Sequence, residues 1–562
     1  MSAVVSRVTV VALVAVILGP LAWPGYVLSY DMVFVPTQQL SWHLIAPADA
    51  LPRAVPLDAA VALVNVMLPG WLLQRLALVA IIAFAAIGAY RLIPTERVSI
   101  RVIAAVGYVW TPYLAERLLI GHWALLCAYA ALPWLVLAAI DLRRGAQSAL
   151  PQVVVAAAAG CLTPTGGVIT LAAVAVLLLG AVPWRKATVT LAAVAALNLP
   201  WLVASAVSSA GGGSDPAGVD AFAARAENWA GTLVSLAGTG GIWNRLTTPA
   251  SRSFVLVPLL TVALVALAGF GFSRLRKGLP AGIAARLGWL GLGGFVLALL
   301  GTVPPGASVL RLLVTHVPGA GLLRDGQKFL IPYALLLILS VGCGVERVVT
   351  RLGREPGQVV IVGALILPLL SMPDLAWGGA GSLRPVSYPD DWAVVSRLVA
   401  ARPGEVLPLP FAEYRQYAWN HGRVVIDPAP RYLPAPVITD DALIVDERII
   451  HGENQRASQI RALLDAGVPA SALGPEWVLV EGPGVTDATL AGLVIVYSGP
   501  TLTLYHNPSS TPPVVSPTWR RAVMSIAYLA AFGVALCSMI LVLIPRVRRL
   551  YARRRAVRRR AE

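Results

Sequence analysis

A lone carboxylate stands in "LSYDMVFVP", where Asp31 follows directly on the first apolar run. Cations that could meet it come from other segments: Arg117 and His122 in "AERLLIGHW", Arg324 and Lys328 in "LLRDGQKF". A positioned carboxylate can take the proton of an attacking hydroxyl. Arg, Lys and His can hold a phosphate and steady charge on a departing phosphate oxygen. Such a set suits the phosphate head of a lipid-linked substrate better than a neutral ligand. Plainer readings stand beside these. Asp31 also reads as a helix-end residue, His122 beside Trp123 as part of an interfacial aromatic belt, and Arg324 as a side chain snorkelling to headgroups. Asp49 and Asp58 are the next acids, and Asp58 suits the start of an interfacial helix. Arg225, Glu227, Arg245 and Arg252 stand in a further loop, after the flexible glycine run Gly211 to Gly213. No phosphate-cradling loop of P-loop spacing is present. Cys127, Cys161, Cys343 and Cys537 lie in apolar segments without metal-type spacing, so no disulfide framework and no metal site is expected.

The elements that carry these residues are membrane spans. Hydrophobic residues make up 57% of the chain and charged ones 13%, against roughly half and a quarter in soluble domains. Twelve spans are expected at 7–28, 71–93, 102–113 (extending towards 118), 123–140, 150–165, 167–183, 187–208, 254–272, 287–303, 329–345, 358–372 and 522–544. Lys and Arg are retained on the cytoplasmic side. With the N-terminus inside, the loops bearing Arg91, Arg97 and Arg101, then Arg143 and Arg144, Arg185 and Lys186, Arg274 to Arg286, and Arg347 to Arg354 all fall there. So does the tail from Arg546 to Arg560, which holds nine arginines. That tail places much of the net charge of +16 beside a span, where it reads as an anionic-lipid contact rather than a nucleic-acid face. Lys328 is then the one lysine on the outer side.

Between 373 and 517 the composition changes, and Asp, Glu, Asn, Gln and His return. Strand-like stretches at 405–411, 422–427 and 476–482, with "LVIVYS" and "LTLYHN", alternate with a helical 453–467. The expected organisation is a transmembrane domain over 1–372, an extracytoplasmic α/β domain over 373–517, a last span over 518–545 and a basic cytoplasmic tail over 546–562. Both termini lie in the cytoplasm of a plasma-membrane protein on this reading. Trp392, Tyr414, Tyr417 and Trp419 are sugar-stacking candidates in the soluble part, with the domain core as their plainer reading.

The layout resembles the GT-C superfamily of polytopic glycosyltransferases. "WLLQRLALVAIIAFAAIGAYRL" and "RVIAAVGYVWTPYLAERLLIGHWALLCAYAALPWL" resemble the membrane core of actinobacterial arabinofuranosyl- and mannosyltransferase-like proteins. "PGAGLLRDGQKF", "ALLDAGVPASALGPEWVLVEG" and "LTLYHNPSSTPPVV" resemble the loop and extracytoplasmic domain of YfhO-type membrane glycosyltransferases. The resemblance implies an inverting transferase, metal-independent or weakly dependent on a divalent cation, that moves a sugar from a polyprenyl-phosphate donor to a glycan or glycolipid acceptor. Asp31 would be the catalytic residue, Arg117, His122, Arg324 and Lys328 the donor phosphate ligands, and Trp392, Tyr414 and Trp419 acceptor contacts. The family's paired acids on the first loop are missing, since Asp31 stands alone beside Tyr30 and Met32. A non-catalytic scaffold of envelope assembly therefore remains an alternative. A lipid-linked-glycan flippase is a second, against which stands the lack of an internal repeat.

Overall fold

The computed structural model describes all residues except 1, 47–51, 147, 209–213, 446–447, 514–515 and 562. Asp49 and the run Gly211 to Gly213 lie outside the described residues. Among the described residues, ten helices are long and apolar enough to cross a membrane. They include α1 (Ser2–Leu18), α2 (Gly70–Leu92), α3 (Val98–Val109) continued by α4 (Pro112–Leu119), and α5 (Trp123–Arg143). The break between α3 and α4 has a local cause. Pro112 disfavours helix at the preceding residue, and the Thr111 hydroxyl caps α4 by accepting from Leu114 N at 3.2 Å.

The fifth and sixth expected spans are α6 (Ala149–Gly160) and α7 (Pro164–Leu178), of 12 and 15 residues. At 1.5 Å per residue they extend about 18 and 22 Å, short of a hydrocarbon core of about 30 Å. Thr163 and Pro164 impose the stop, with the Thr163 hydroxyl accepting from Gly166 N. Then follow α8 (Trp184–Ala206), α9 (Val257–Gly278), α10 (Ile283–Leu300), the shorter α11 (Pro304–His316), α12 (Ile331–Leu352) and α13 (Arg354–Ser371).

The soluble part carries α14 (Asp390–Ala401), α15 (Gln455–Asp465) and eight short strands. β1 (Val406–Leu409), β6 (Trp477–Val480), β8 (Thr503–His506) and β7 (Val494–Ser498) form one sheet in that spatial order. β1 pairs with β6 in parallel and the other pairs are antiparallel. β2 (Tyr414–Gln416) and β3 (Val424–Ile426) form a hairpin, as do β4 (Leu443–Val445) and β5 (Arg448–Ile450). The chain closes with α16 (Thr518–Ala561), apolar as far as Ile544.

Two buried connections hold the end of the bundle that faces this domain. Gln74 of α2 accepts from Val27 N at 2.9 Å and donates to Val27 O at 2.7 Å, which pins the first loop to a helix. Tyr108, Tyr129 and Tyr113 stack with centroids 4.1 and 5.4 Å apart, and Tyr113 donates to Lys328 O at 2.9 Å. Lys328 is thereby tied to α4.

Candidate functional site

Asp31 is placed by backbone on both sides. Its N–H donates to Ile120 O at 3.2 Å, and the Ser29 hydroxyl donates to Leu119 O at 2.8 Å, so the loop lies across the turn between α4 and α5. Gly121 makes that approach feasible. It has φ +84°, and a Cβ there would stand 2.3 Å from Met32 N. On the opposite side Tyr30, itself at φ 45°, pairs with the β2–β3 hairpin: Tyr30 N donates to Val424 O at 2.8 Å and Ile426 N to Tyr30 O at 2.9 Å. The first loop is thus bridged at a single residue, Tyr30, to the β2–β3 hairpin.

The Asp31 carboxylate accepts from His122 Nε2–H through Oδ2 at 2.9 Å and from the Tyr414 hydroxyl through Oδ1 at 2.5 Å. Arg117 fixes the imidazole. Its Nη1 donates to His122 Nδ1 at 2.9 Å, which leaves the proton on Nε2 for Asp31. Burial lowers the pKa of His122, and the Lys328 and Arg117 charges add to that against Asp31, so the ring is neutral. At Asp31 burial pushes upward, but the His122 hydrogen bond and, in the acid range where the carboxyl titrates, the charge of a then protonated His122, with the Tyr414 hydroxyl and the Lys328 ammonium, outweigh it and bring the carboxyl to about 2. With 37% of its side chain exposed, this ionised carboxylate is open to a substrate.

The expected phosphate ligands divide. Lys328 keeps 26% of its side chain exposed and sits 3.6 Å from Asp325 Oδ2, close enough to Asp31 for their charges to interact. Arg117 is a correction. It is fully buried and paired with Asp325 through two hydrogen bonds of 2.7 and 2.8 Å, and it also donates to Gln327. With those nitrogens taken and no solvent access, it orients His122 rather than binding phosphate. Arg324 is engaged too, 3.1 Å from Glu453 of the soluble domain.

Among the acceptor candidates, Tyr414 reaches the site by bonding Asp31 rather than by stacking on a sugar. Trp392 is a correction. Trp392 is fully buried and packs with Tyr388, Tyr417 and Tyr432, and the half-buried Trp419 packs with Tyr388 and Tyr417, in one aromatic cluster that glues the domain to the first loop through Tyr26. Asp58 pairs with Arg431 at 3.1 Å.

Two charged neighbours escaped sequence reasoning. Arg53 pairs with Glu453 and stands 3.8 Å from Glu413 Oε1. Its signal was available, because outward loops hold few cations and each one is suspect. Glu413 directly precedes Tyr414, and its Oε2 is buried without a hydrogen-bond partner. Burial first, then the charges of Asp31, Asp441 and Glu453 against that of Arg53, raise its carboxyl to about 7. Nothing in the sequence connects Glu413 with Asp31. The site therefore contains one carboxylate held ionised and a second that titrates near neutrality.

Comparison with known proteins agrees with this architecture. No family model and no curated protein matches the chain. Among solved structures, the arabinofuranosyltransferase AftD from Mycobacteria aligns over 90% of this chain at 17% identity, with a TM-score of 0.55. Two classes of a point mutant of AftD align with TM-scores of 0.58 and 0.51, at 17% and 16% identity, over 91% and 90% of this chain. The chain spans 40% of the AftD chain in the first and 41% in the mutant classes. It shares with AftD a GT-C-like polytopic membrane fold.

Proposed function

We propose that the protein is a cell-envelope glycosyltransferase. It moves a sugar from a polyprenyl-phosphate donor to a glycan or lipid acceptor on the extracytoplasmic face of the plasma membrane. The observation that carries this reading is the Asp31 carboxylate, held between a neutral His122 and the Tyr414 hydroxyl, with the Lys328 ammonium beside it. Lys328 receives the donor phosphate. The acceptor hydroxyl gives its proton to Asp31 while its oxygen bonds to the anomeric carbon. The bond from that carbon to the phosphate oxygen breaks, and its electron pair leaves with the phosphate, so the configuration inverts. Asp31 is a weak base in the empty site. A bound phosphate neutralises Lys328 and brings its own negative charge, and both effects raise the Asp31 pKa and strengthen the base. His122 and Tyr414 hold the carboxylate in place, and no step needs a metal. The fold shared with a named arabinofuranosyltransferase supports the reaction class.

Asp31→Asn keeps the size of the side chain and removes the base. Transfer from a polyprenyl-phosphate sugar by purified protein should fall about 10²–10⁴-fold, while donor binding survives. An Asp31→Asn protein that turns over like wild type rejects this assignment. A wild type that binds no polyprenyl-phosphate donor favours the scaffold instead.

A further inference from the structure

A second concavity lies away from Asp31, between α3, α9, α12 and α13. It is a slot of about 130 Å³ with walls that include Gly107, Leu260, Leu264, Leu337 and Leu367. Its polar lining is Thr111, Thr239, Arg252, Thr261 and Ser371. Arg252 and Thr239 meet beside Gly238 at one end, 4% and 1% exposed. Arg252 Nη2 and the Thr239 hydroxyl have no hydrogen-bond partner among the described residues. Two buried donors left unmade at one end of an apolar slot call for an acceptor from outside the chain.

The form of that acceptor follows from charge and access. Arg252 Nε already pairs with Glu227 Oε2 at 3.0 Å. Burial pushes the Glu227 carboxyl up, but the Arg252 charge, the Glu116 hydrogen bond and the Gly241 N–H hold it below the usual range, so it is ionised. The Arg252 charge is thus matched, and a phosphate would bring a second anion up to Glu227. A neutral carbonyl fits. Leu260 and Leu264 are half-buried and Leu367 is exposed, because α9 and α13 both pack on α12 and leave a gap towards the bilayer. A chain can enter from the lipid. Glu116 and Gln327, joined at 2.9 Å, stand between this end of the slot and Arg117, so the slot is separate from the Asp31 site.

We propose that the slot binds the ester carbonyl and first methylenes of one acyl chain of a membrane glycerolipid, the carbonyl accepting from Arg252 Nη2 and the Thr239 hydroxyl and the rest of the chain lying in the gap towards the bilayer. The site does not depend on the transfer chemistry. Its test is binding to the delipidated full chain in detergent, read by native mass spectrometry. Three probes are compared: a diacyl glycerophospholipid, its diether analogue with the same head and chains, and a polyprenyl phosphate. Retention that Ala364→Phe removes should be best for the diacyl lipid, and for the diether, which lacks the carbonyl and with it both contacts, about 30-fold weaker. Thr239→Val keeps the shape and should cost the diacyl lipid about fivefold, with no effect on the diether. Ala364→Phe, on the half-exposed face of α13, fills the slot and should abolish retention of both. Equal retention of diester and diether overturns the carbonyl contact. Unchanged diacyl-lipid binding in Ala364→Phe overturns the slot, and polyprenyl-phosphate retention that Ala364→Phe removes reassigns it to a phosphate-headed lipid, whereas retention that survives Ala364→Phe belongs to the Asp31 site.

Discussion

Arg117 and Glu413 show how far a residue's role depends on what the fold sets beside it. Arg117 stood out in sequence as a cation near the outer end of a span, and the structure converts it into an internal brace. Asp325→Asn leaves the fully buried guanidinium without its carboxylate. Breaking a buried pair in this way typically costs about 3–5 kcal/mol, to be measured by denaturant unfolding in detergent. A loss under 1 kcal/mol would mean that water reaches Arg117. Glu413 gives a pH signature. Its carboxyl titrates at the ordinary value of 4.5 when unfolded and at about 7 when folded. Between those values the folded state holds a proton that the unfolded state has released, so stability falls as pH rises through the window. Gln mimics the protonated form. Glu413→Gln should therefore match wild type in melting temperature at pH 4, exceed it at pH 8, and vary less between the two. Parallel pH profiles would place Glu413 in water. Asp31, His122 and Lys328 were legible because ionisable groups are rare beside spans. Glu413 was not, and Tyr414, singled out as an acceptor contact, was not legible as a partner of Asp31, since the two meet across 383 positions and no local pattern encodes that meeting.

The elements that matter most are the turn after α4 and the loop laid upon it. The long spans, the stop at Pro164 and five of the eight strands were readable because apolar length, proline and alternating patterns have direct physical consequences; the three-residue β2, β4 and β5 and the break at Pro112 were not expected. The addition of Tyr30 to the β2–β3 hairpin was not readable, because a single-residue bridge leaves no periodicity. Gly121 carries the close approach. An alanine there must hold φ +84°, a conformation that costs about 1–2 kcal/mol, and its Cβ meets backbone that cannot swing aside. The Asp31 loop should shift, and a displacement of about 1 Å can lower the rate about 10²-fold. Gly145 is the control. It has φ +79° with nothing within 4 Å, so Gly145→Ala should show the conformational cost alone and retain transfer. If the two variants transfer equally well, the turn does not set the position of Asp31.

For the whole molecule the decisive question is sidedness, and the short helices α6 and α7 leave it unchanged. If both cross the membrane they add two crossings, and if they form a re-entrant hairpin they add none. Either count is even, so every loop after Leu178 keeps its side. The basic loops therefore still argue for a cytoplasmic Arg144 and Lys186 and an extracytoplasmic 373–517 region. Docking of that region reinforces the inference, since Tyr30, Arg53 and Arg324 all engage it from one end of the bundle. Whichever side holds Asp31 must also hold Glu453 and Tyr414. A topology reporter inserted after Gly484, a turn with open space around it, should read extracytoplasmic. Reporters after Arg144 and at Glu562 should read cytoplasmic. A cytoplasmic signal at Gly484 would carry Asp31, Lys328 and the domain together to the inner face. The proposed transfer would then have to draw on a donor exposed in the cytoplasmic leaflet, and the extracytoplasmic assignment would fall.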